Sequence, residues 1–108
     1  MGKPVEITDA NFQQEVVESG KLAVLDLWAV WCGPCRLLDP IFKELAEEYE
    51  GKAVIGKVNV DENPEIPQKY GVLNIPTILF LKGDELVDKI VGAVPKRVVK
   101  EAIDKYLQ

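Results

Sequence analysis

The 108-residue sequence contains no histidine and only two cysteines. Without histidine, catalysis by a Cys-His or Ser-His pair is excluded, and so are zinc sites with imidazole ligands. A secreted disulfide scaffold would carry more cysteines, spread along the chain, whereas these two are separated by only two residues. The chemistry suggested by the sequence therefore centres on Cys32 and Cys35.

The sequence also lacks an excess of basic residues and a long apolar run. A net charge of -5 argues against direct binding of nucleic acid, which requires a basic surface. The apolar stretch 22–30 is interrupted by Asp26 and is too short to span a bilayer, so no membrane association is expected. No apolar segment follows Met1–Pro4, which predicts no secretory signal and a cytoplasmic location. The length fits a single domain over residues 1–108, with a monomer as the default state.

Cap and turn residues divide the chain into alternating strands and helices. The predicted strands are 5–7, 22–28, 53–60, 77–81 and 86–91, the last two joined as a hairpin through 82–85. Thr8 or Asp9 should cap the first predicted helix. The second predicted helix ends at Gly51, the third ends at Gly71, and Pro95 opens the last. The order β-α-β-α-β-α-β-β-α predicts a three-layer α/β/α sandwich with a mixed sheet.

The Cys32-Gly33-Pro34-Cys35 segment lies where a buried strand gives way to a helix. Unpaired N–H groups and the positive end of the helix dipole should stabilise a Cys32 thiolate and lower the pKa of its thiol. The thiolate is the form that attacks a disulfide. Cys35 follows about one turn later, within reach of Cys32, so the motif predicts thiol–disulfide exchange.

Three other interpretations of the cysteine pair remain open at this stage. A structural disulfide closing so short a loop would stabilise the fold by only about 2 kcal/mol. Half of a metal site would need two further ligands, from carboxylates or from a second chain. The third interpretation is a pair of unreactive cysteines.

The stretch 28–35, Trp-Ala-Val-Trp-Cys-Gly-Pro-Cys, closely resembles the active-site signature of thioredoxins. Asp26, Pro40, the segment 74–77 (Asn-Ile-Pro-Thr) and the segment 91–93 (Val-Gly-Ala) match further landmarks of that family. The resemblance covers essentially the whole chain. It implies the thioredoxin fold, with a mixed five-stranded sheet in the order 1-3-2-4-5 flanked by four helices.

The resemblance also implies an activity and partners. Cys32 would be the nucleophile and Cys35 the resolving cysteine in the reduction of disulfides in other proteins. No bound cofactor would be needed beyond the redox-active Cys32–Cys35 disulfide, with electrons coming from NADPH through thioredoxin reductase. Alternatives are a disulfide oxidase or isomerase on the same fold, a binding or processivity subunit, and a dimer that bridges a metal or cluster.

Asp26 interrupts a buried apolar strand, where a carboxylate is costly unless it is paired or neutral. The resemblance implies a proton acceptor for Cys35, and burial should raise its pKa toward the working pH. The alternative is a buried acid neutralised by Lys57 on the next predicted strand. Lys57 would then pair with Asp26 and tune its pKa. Alternatively, the aliphatic part of Lys57 packs while its ammonium extends into water.

The remaining residues implied by the resemblance surround the cysteines. Trp31 is expected to be a partly exposed contact surface. Pro76 is expected to follow a cis peptide bond, so that Ile75 offers its backbone to an extended substrate segment. Gly92 and Ala93 would form a flat apolar surface on which a partner approaches.

Trp28 and Pro40 are expected to have structural roles. Trp28 ends a buried strand and should mainly pack, while Pro40 should bend the helix that contains it. Four positions depart from the commonest family pattern without removing a reacting group: Leu27, Val30, Arg36 and Asn74.

Overall fold

The structure is a computed structural model that describes residues 2–108. Its strands are β1 (Val5–Glu6), β2 (Leu22–Trp28), β3 (Ala53–Asn59), β4 (Thr77–Lys82) and β5 (Glu85–Val91). Its helices are α1 (Gln13–Val17, a π-helical turn), α2 (Asp39–Glu48), α3 (Glu65–Lys69) and α4 (Lys96–Leu107), with a 3₁₀ turn, Pro34–Leu38, leading directly into α2. The predicted order of elements is confirmed, and so is the three-layer sandwich.

The five strands form one mixed sheet in the order β1-β3-β2-β4-β5. Strand β3 is parallel to both β1 and β2, whereas β4 is antiparallel to β2 and to β5. Strand β2 lies at the centre and is buried over almost its whole length. This explains its continuous apolar sequence, because helices cover both faces of the sheet.

Each face of the sheet has its own apolar core. One core packs α2 and α4 against the sheet, with Phe42, Leu45, Val99 and Ile103 fully buried. The other packs the α1 and α3 side, with Ile7, Val16 and Ile66 among its members and alternate residues of β2 pointing into it. No helix within residues 2–108 is long and apolar enough to cross a membrane.

The first helix differs from its predicted form. Thr8 and Asn11 bond each other reciprocally, backbone to side chain, at 2.8 and 3.1 Å. Asp9 caps a different helix, because its carboxylate accepts hydrogen bonds from the amides of Glu65 and Ile66, each at 3.2 Å. Local sequence shows that Asp9 is a good cap, but only the tertiary fold decides which free N–H groups are close enough.

Candidate active site

Cys32 and Cys35 are joined in a disulfide directly after the central strand β2. Their Cα atoms are 5.4 Å apart, and the backbone N–H of Cys35 donates to the Cys32 sulfur at 3.3 Å. Both cysteines are largely covered, with Cys32 5% exposed, while Gly33 and Pro34 between them are exposed. The two sulfurs therefore lie at the N-terminal end of a helical segment, as the sequence predicts.

The helical segment changes type at Pro40. The amide of Asp39 donates to the Arg36 carbonyl in the 3₁₀ pattern, and α2 then begins with Pro40 in its first turn. Proline has no N–H to donate back into the preceding turn, so a regular α-helix through this point would lose a hydrogen bond. The cysteines are consequently carried on a 3₁₀ turn and not on the α-helix itself.

Asp26 lies within the central strand and is only 1% exposed. Neither carboxylate oxygen has a hydrogen-bond partner among residues 2–108. Burial raises the pKa of Asp26 to about 7, while the positive charge of Lys57 partly opposes this rise and the negative charge of Asp39 adds to it. Asp26 therefore changes its protonation state near neutral pH, as a proton acceptor working at that pH requires.

Lys57 occupies the register position beside Asp26 on the neighbouring parallel strand β3. Its ammonium nevertheless forms its hydrogen bond and ion pair with Asp39, at the start of α2. The hydrogen bond from Lys57 lowers the pKa of Asp39. Lys57 also lies 4.8 Å from the centroid of the Trp28 ring, which adds a cation–π contact to the packing role of Trp28. Neither sequence-based interpretation of Lys57 includes Asp39 as its partner.

Asp39 is the main residue of this region that sequence reasoning missed. In the sequence it stands one helical turn before Lys43, with which it forms an ion pair at 3.4 Å, so it looks like an ordinary surface charge. In the structure, Asp39 and Lys57 line a groove of about 510 Å³ together with Trp28, Pro40 and Cys35. The resolving cysteine therefore borders the same groove as this ion pair.

The Ile75–Pro76 peptide bond is cis and lies in the loop before β4. The Gly92 N–H donates to the Pro76 carbonyl at 2.9 Å, which brings Gly92 and Ala93 beside the proline. Ile75 packs against the cluster that contains both cysteines. Its backbone makes no hydrogen bond within the described chain, 2–108, so both its N–H and its C=O are available to an added strand.

Trp31 is 70% exposed, and its indole N–H donates to the Asp61 carboxylate at 2.9 Å. A groove of about 440 Å³ runs from Trp31 past Val60 to Leu73 and Ile75. Leu73 is 91% exposed and lies at the edge of this groove. Sequence reasoning missed both Asp61 and Leu73, because nothing in the local pattern links either residue to position 31.

Comparison with known proteins agrees with this geometry. The family model "Thioredoxin" matches residues 3–105. The chain belongs to the thioredoxin family. It is 51% identical over 106 residues to a thioredoxin of Chlorobaculum thiosulfatiphilum, covering 98% of each chain. It is 50% identical over 103 residues to a thioredoxin of Staphylococcus aureus, covering 95% of this chain and 97% of the relative.

Membership of the family and the closeness of the two cysteines make the chain a thiol–disulfide oxidoreductase with protein-disulfide reductase activity. Its targets are proteins that contain disulfides. Thioredoxins need no bound cofactor for this reaction, because the cysteine pair itself carries the two electrons. Within residues 2–108, no cluster of three or more cysteine or acidic side chains is placed to hold a metal ion.

Proposed function

We propose that this protein is an electron carrier, which receives two electrons from a reductase and passes them to disulfides of target proteins. The observation that carries this proposal is the Cys32–Cys35 disulfide at the start of a helical segment, with Asp26 buried in the adjoining strand and without a hydrogen-bond partner among residues 2–108. A purely structural disulfide would leave the buried Asp26 carboxyl without a role.

The first step is attack by Cys32 of the reduced protein. The N–H of Cys35 points at the Cys32 sulfur, and the positive end of the helix favours the thiolate there. The Cys32 thiolate forms a bond to one sulfur of the target disulfide, and the other target sulfur leaves as a thiolate that takes a proton from water. The product is a mixed disulfide between Cys32 and the target.

The second step is resolution by Cys35. Asp26 accepts the proton of the Cys35 thiol, and the resulting thiolate attacks the Cys32 sulfur. The bond between Cys32 and the target breaks, and the second target sulfur leaves as a thiolate. The target has gained two electrons, and this protein leaves with the Cys32–Cys35 bond restored. The raised pKa of Asp26, about 7, supports its role as the acceptor.

The target segment binds in an extended form across the cis Ile75–Pro76 loop. The unpaired N–H and C=O of Ile75 support pairing with a strand of the target. Trp31 and Leu73 flank a groove that accepts an apolar side chain next to the target cysteine. Gly92 and Ala93 leave room for the target backbone, since a Cβ at Gly92 would meet no atom within 4 Å.

The source of electrons is NADPH through thioredoxin reductase, and the protein works as a monomer in the cytoplasm. Support for these points comes from the family and from the reaction, since a reductant of disulfides acts where thiols are kept reduced. The alternatives are an oxidase or isomerase and a binding subunit whose dithiol is incidental.

The test is turnover of a protein disulfide with NADPH and a thioredoxin reductase as donor. We expect the wild-type chain to support turnover, and Cys32→Ser and Cys35→Ser each to abolish it. If the variant with both cysteines replaced by serine retained its cellular function, the electron-carrier proposal would be contradicted and a binding subunit would be favoured. A reduction potential near that of known disulfide oxidants would contradict a reductive role.

A further inference from the structure

Lys57 lies between two carboxylates of different character. Asp26 is buried in β2, beside Lys57 in the sheet register, and has no hydrogen-bond partner among the described residues. Asp39 is partly exposed at the start of α2 and takes the hydrogen bond of the ammonium. The three side chains come from three different elements, so their arrangement depends on how α2 packs on the sheet.

A lysine ammonium carries three donors, so Lys57 could in principle serve both acids. In the structure it donates to Asp39 and stacks on the Trp28 ring, and these two contacts orient its head. A direct bond between Lys57 and Asp26 would hold the Asp26 carboxylate in its charged form, because an opposite charge in contact favours ionisation. Pairing with Lys57 would lower the basicity of the Asp26 carboxylate, so it would be a weaker acceptor for the Cys35 proton.

We propose that Asp39 is a positioning residue for the redox reaction, which holds the Lys57 ammonium by an ion pair at the groove and so keeps it from bonding Asp26. The inference rests on the proposed role of Asp26 as proton acceptor and extends it to a residue outside the cysteine motif. Asp39 touches neither cysteine nor target; it acts through Lys57.

The groups that face Asp26 from the surrounding elements are few. Strand β3 contributes Lys57, and α2 contributes Asp39. Cys35 and Arg36 of the 3₁₀ turn line the groove that Lys57 and Asp39 also line. Strand β4 places Ile78 opposite Asp26, which adds no charge. Because the cysteines do not titrate while joined in a disulfide, the oxidised protein isolates the titration of Asp26 from theirs.

The direct test is the titration of Asp26 in the oxidised protein, followed by NMR of its side-chain carbonyl carbon in wild type and in Asp39→Asn. Asparagine keeps the size of the side chain but not its charge, so the ion pair that holds Lys57 is lost. We expect the Asp26 titration midpoint to fall by about half a unit or more, which is roughly a threefold change in its ionisation ratio.

Two further variants show whether Asp39 acts through Lys57. In a Lys57→Met background, Asp39→Asn removes only its own charge, so we expect a clearly smaller shift. Lys43→Met is the matched control, because Lys43 pairs with the other oxygen of Asp39, is mostly exposed and does not line the groove with Cys35. We expect Lys43→Met to leave the Asp26 midpoint unchanged.

The same variants are then assayed for turnover between pH 5 and 8. For Asp39→Asn, the rise of the rate with pH should move to lower pH by the same amount as the NMR midpoint. An Asp26 midpoint that stays in place or rises in Asp39→Asn overturns the inference, and so does an equal shift in the Lys57→Met background. An NMR shift without a matching shift in rate supports the positioning by Asp39 and instead counts against Asp26 as acceptor.

Discussion

Asp26 and Lys57 lie side by side on parallel strands β2 and β3, yet no hydrogen bond joins their side chains. A buried acid next to a lysine normally forms an ion pair that offsets the cost of burial. Here the lysine bonds Asp39, and the cost at Asp26 remains, visible as a pKa of about 7. This arrangement leads directly to a prediction about stability.

Asp26→Ala should stabilise the oxidised protein at pH 8 and not at pH 4. The pKa of Asp26 is raised from 3.8 to about 7, so between these values the folded state binds more protons than the unfolded state. Stability from this group is therefore fully present below about pH 4 and is lost as the pH rises through 7. Removing the carboxyl should increase the free energy of unfolding at pH 8 by about 2–4 kcal/mol.

Urea unfolding of both proteins at several pH values measures this difference. The reference is Glu62→Ala, which removes an exposed carboxylate from a loop and gives the baseline change in stability at each pH. A gain from Asp26→Ala that is the same at pH 4 and pH 8 would mean that the titration of Asp26 is not its source. Asp26→Ala should also turn over more slowly at pH 7, by about 10²-fold, as expected for loss of a proton acceptor.

Cys35→Ser should trap the target as a stable mixed disulfide with Cys32. Serine cannot resolve the intermediate, whereas the attack by Cys32 is unaffected. Mass spectrometry after mixing with a disulfide-containing protein should therefore find one covalent adduct per chain, which dithiothreitol releases. Cys32→Ser is the control and should form little adduct, because Cys35 lies inside the helical turn and lacks the N–H donor and helix end that favour a thiolate at Cys32. Equal trapping by both variants would refute the assignment of Cys32 as the attacking residue.

Leu73→Glu should weaken the binding of target peptides that carry an apolar residue beside their disulfide. A leucine side chain that becomes buried contributes about 1.5–3 kcal/mol, so the KM for such a peptide should rise by about tenfold or more with little change in kcat. Leu37→Glu is the matched control, because Leu37 is 64% exposed but does not line the groove beside Trp31. A similar rise in KM for both variants would indicate a general effect of charge and not a specific pocket.

Gly56→Ala should destabilise the fold, whereas Gly33→Ala should not. A Cβ at Gly56 would lie 2.7 Å from Ile7 Cγ1 and 3.1 Å from the Val5 carbonyl oxygen, because β3 is closely covered there. We expect a loss of about 1–3 kcal/mol in the free energy of unfolding. At Gly33 a Cβ would meet nothing within 4 Å, and φ is -59°, so the change should stay within about 0.5 kcal/mol. Thermal unfolding of the two oxidised variants compares them directly.

Much of the architecture was predictable because its signals are local. The continuous apolar run of β2 indicates burial on both faces, and the alternation of strands with helices indicates parallel pairing under helical layers. The cysteine motif lies between such a strand and a helix, so its place at a helix start follows from short-range pattern. The strand order 1-3-2-4-5, by contrast, came from the resemblance to a family.

The partners of charged side chains were not predictable in this way. Thr8 or Asp9 was expected to cap the first helix. Thr8 accepts a hydrogen bond from the Asn11 amide there, whereas Asp9 caps α3, which begins more than fifty residues later. Lys57 was expected to pair with Asp26 and tune it, or to extend into water. Its charge does lower the pKa of Asp26, but its ammonium bonds Asp39. In both cases the sequence contains several donors or acceptors of the same chemical type. A hydrogen bond forms only with the one that the fold brings within about 3 Å.

The residue types and their order along the chain thus sufficed for the alternation of elements, for the reactive dithiol and for the presence of an acid inside a strand, because each depends on neighbours in sequence. The docking of α2 on the sheet decided which acid holds Lys57 and that neither Asp26 oxygen finds a hydrogen-bond partner in the described part of the chain. The packing of the loops decided that Trp31 meets Asp61 and that Gly92 meets Pro76. Distances between elements arise only when the whole core packs, and electrostatic and hydrogen-bonding partners depend on those distances.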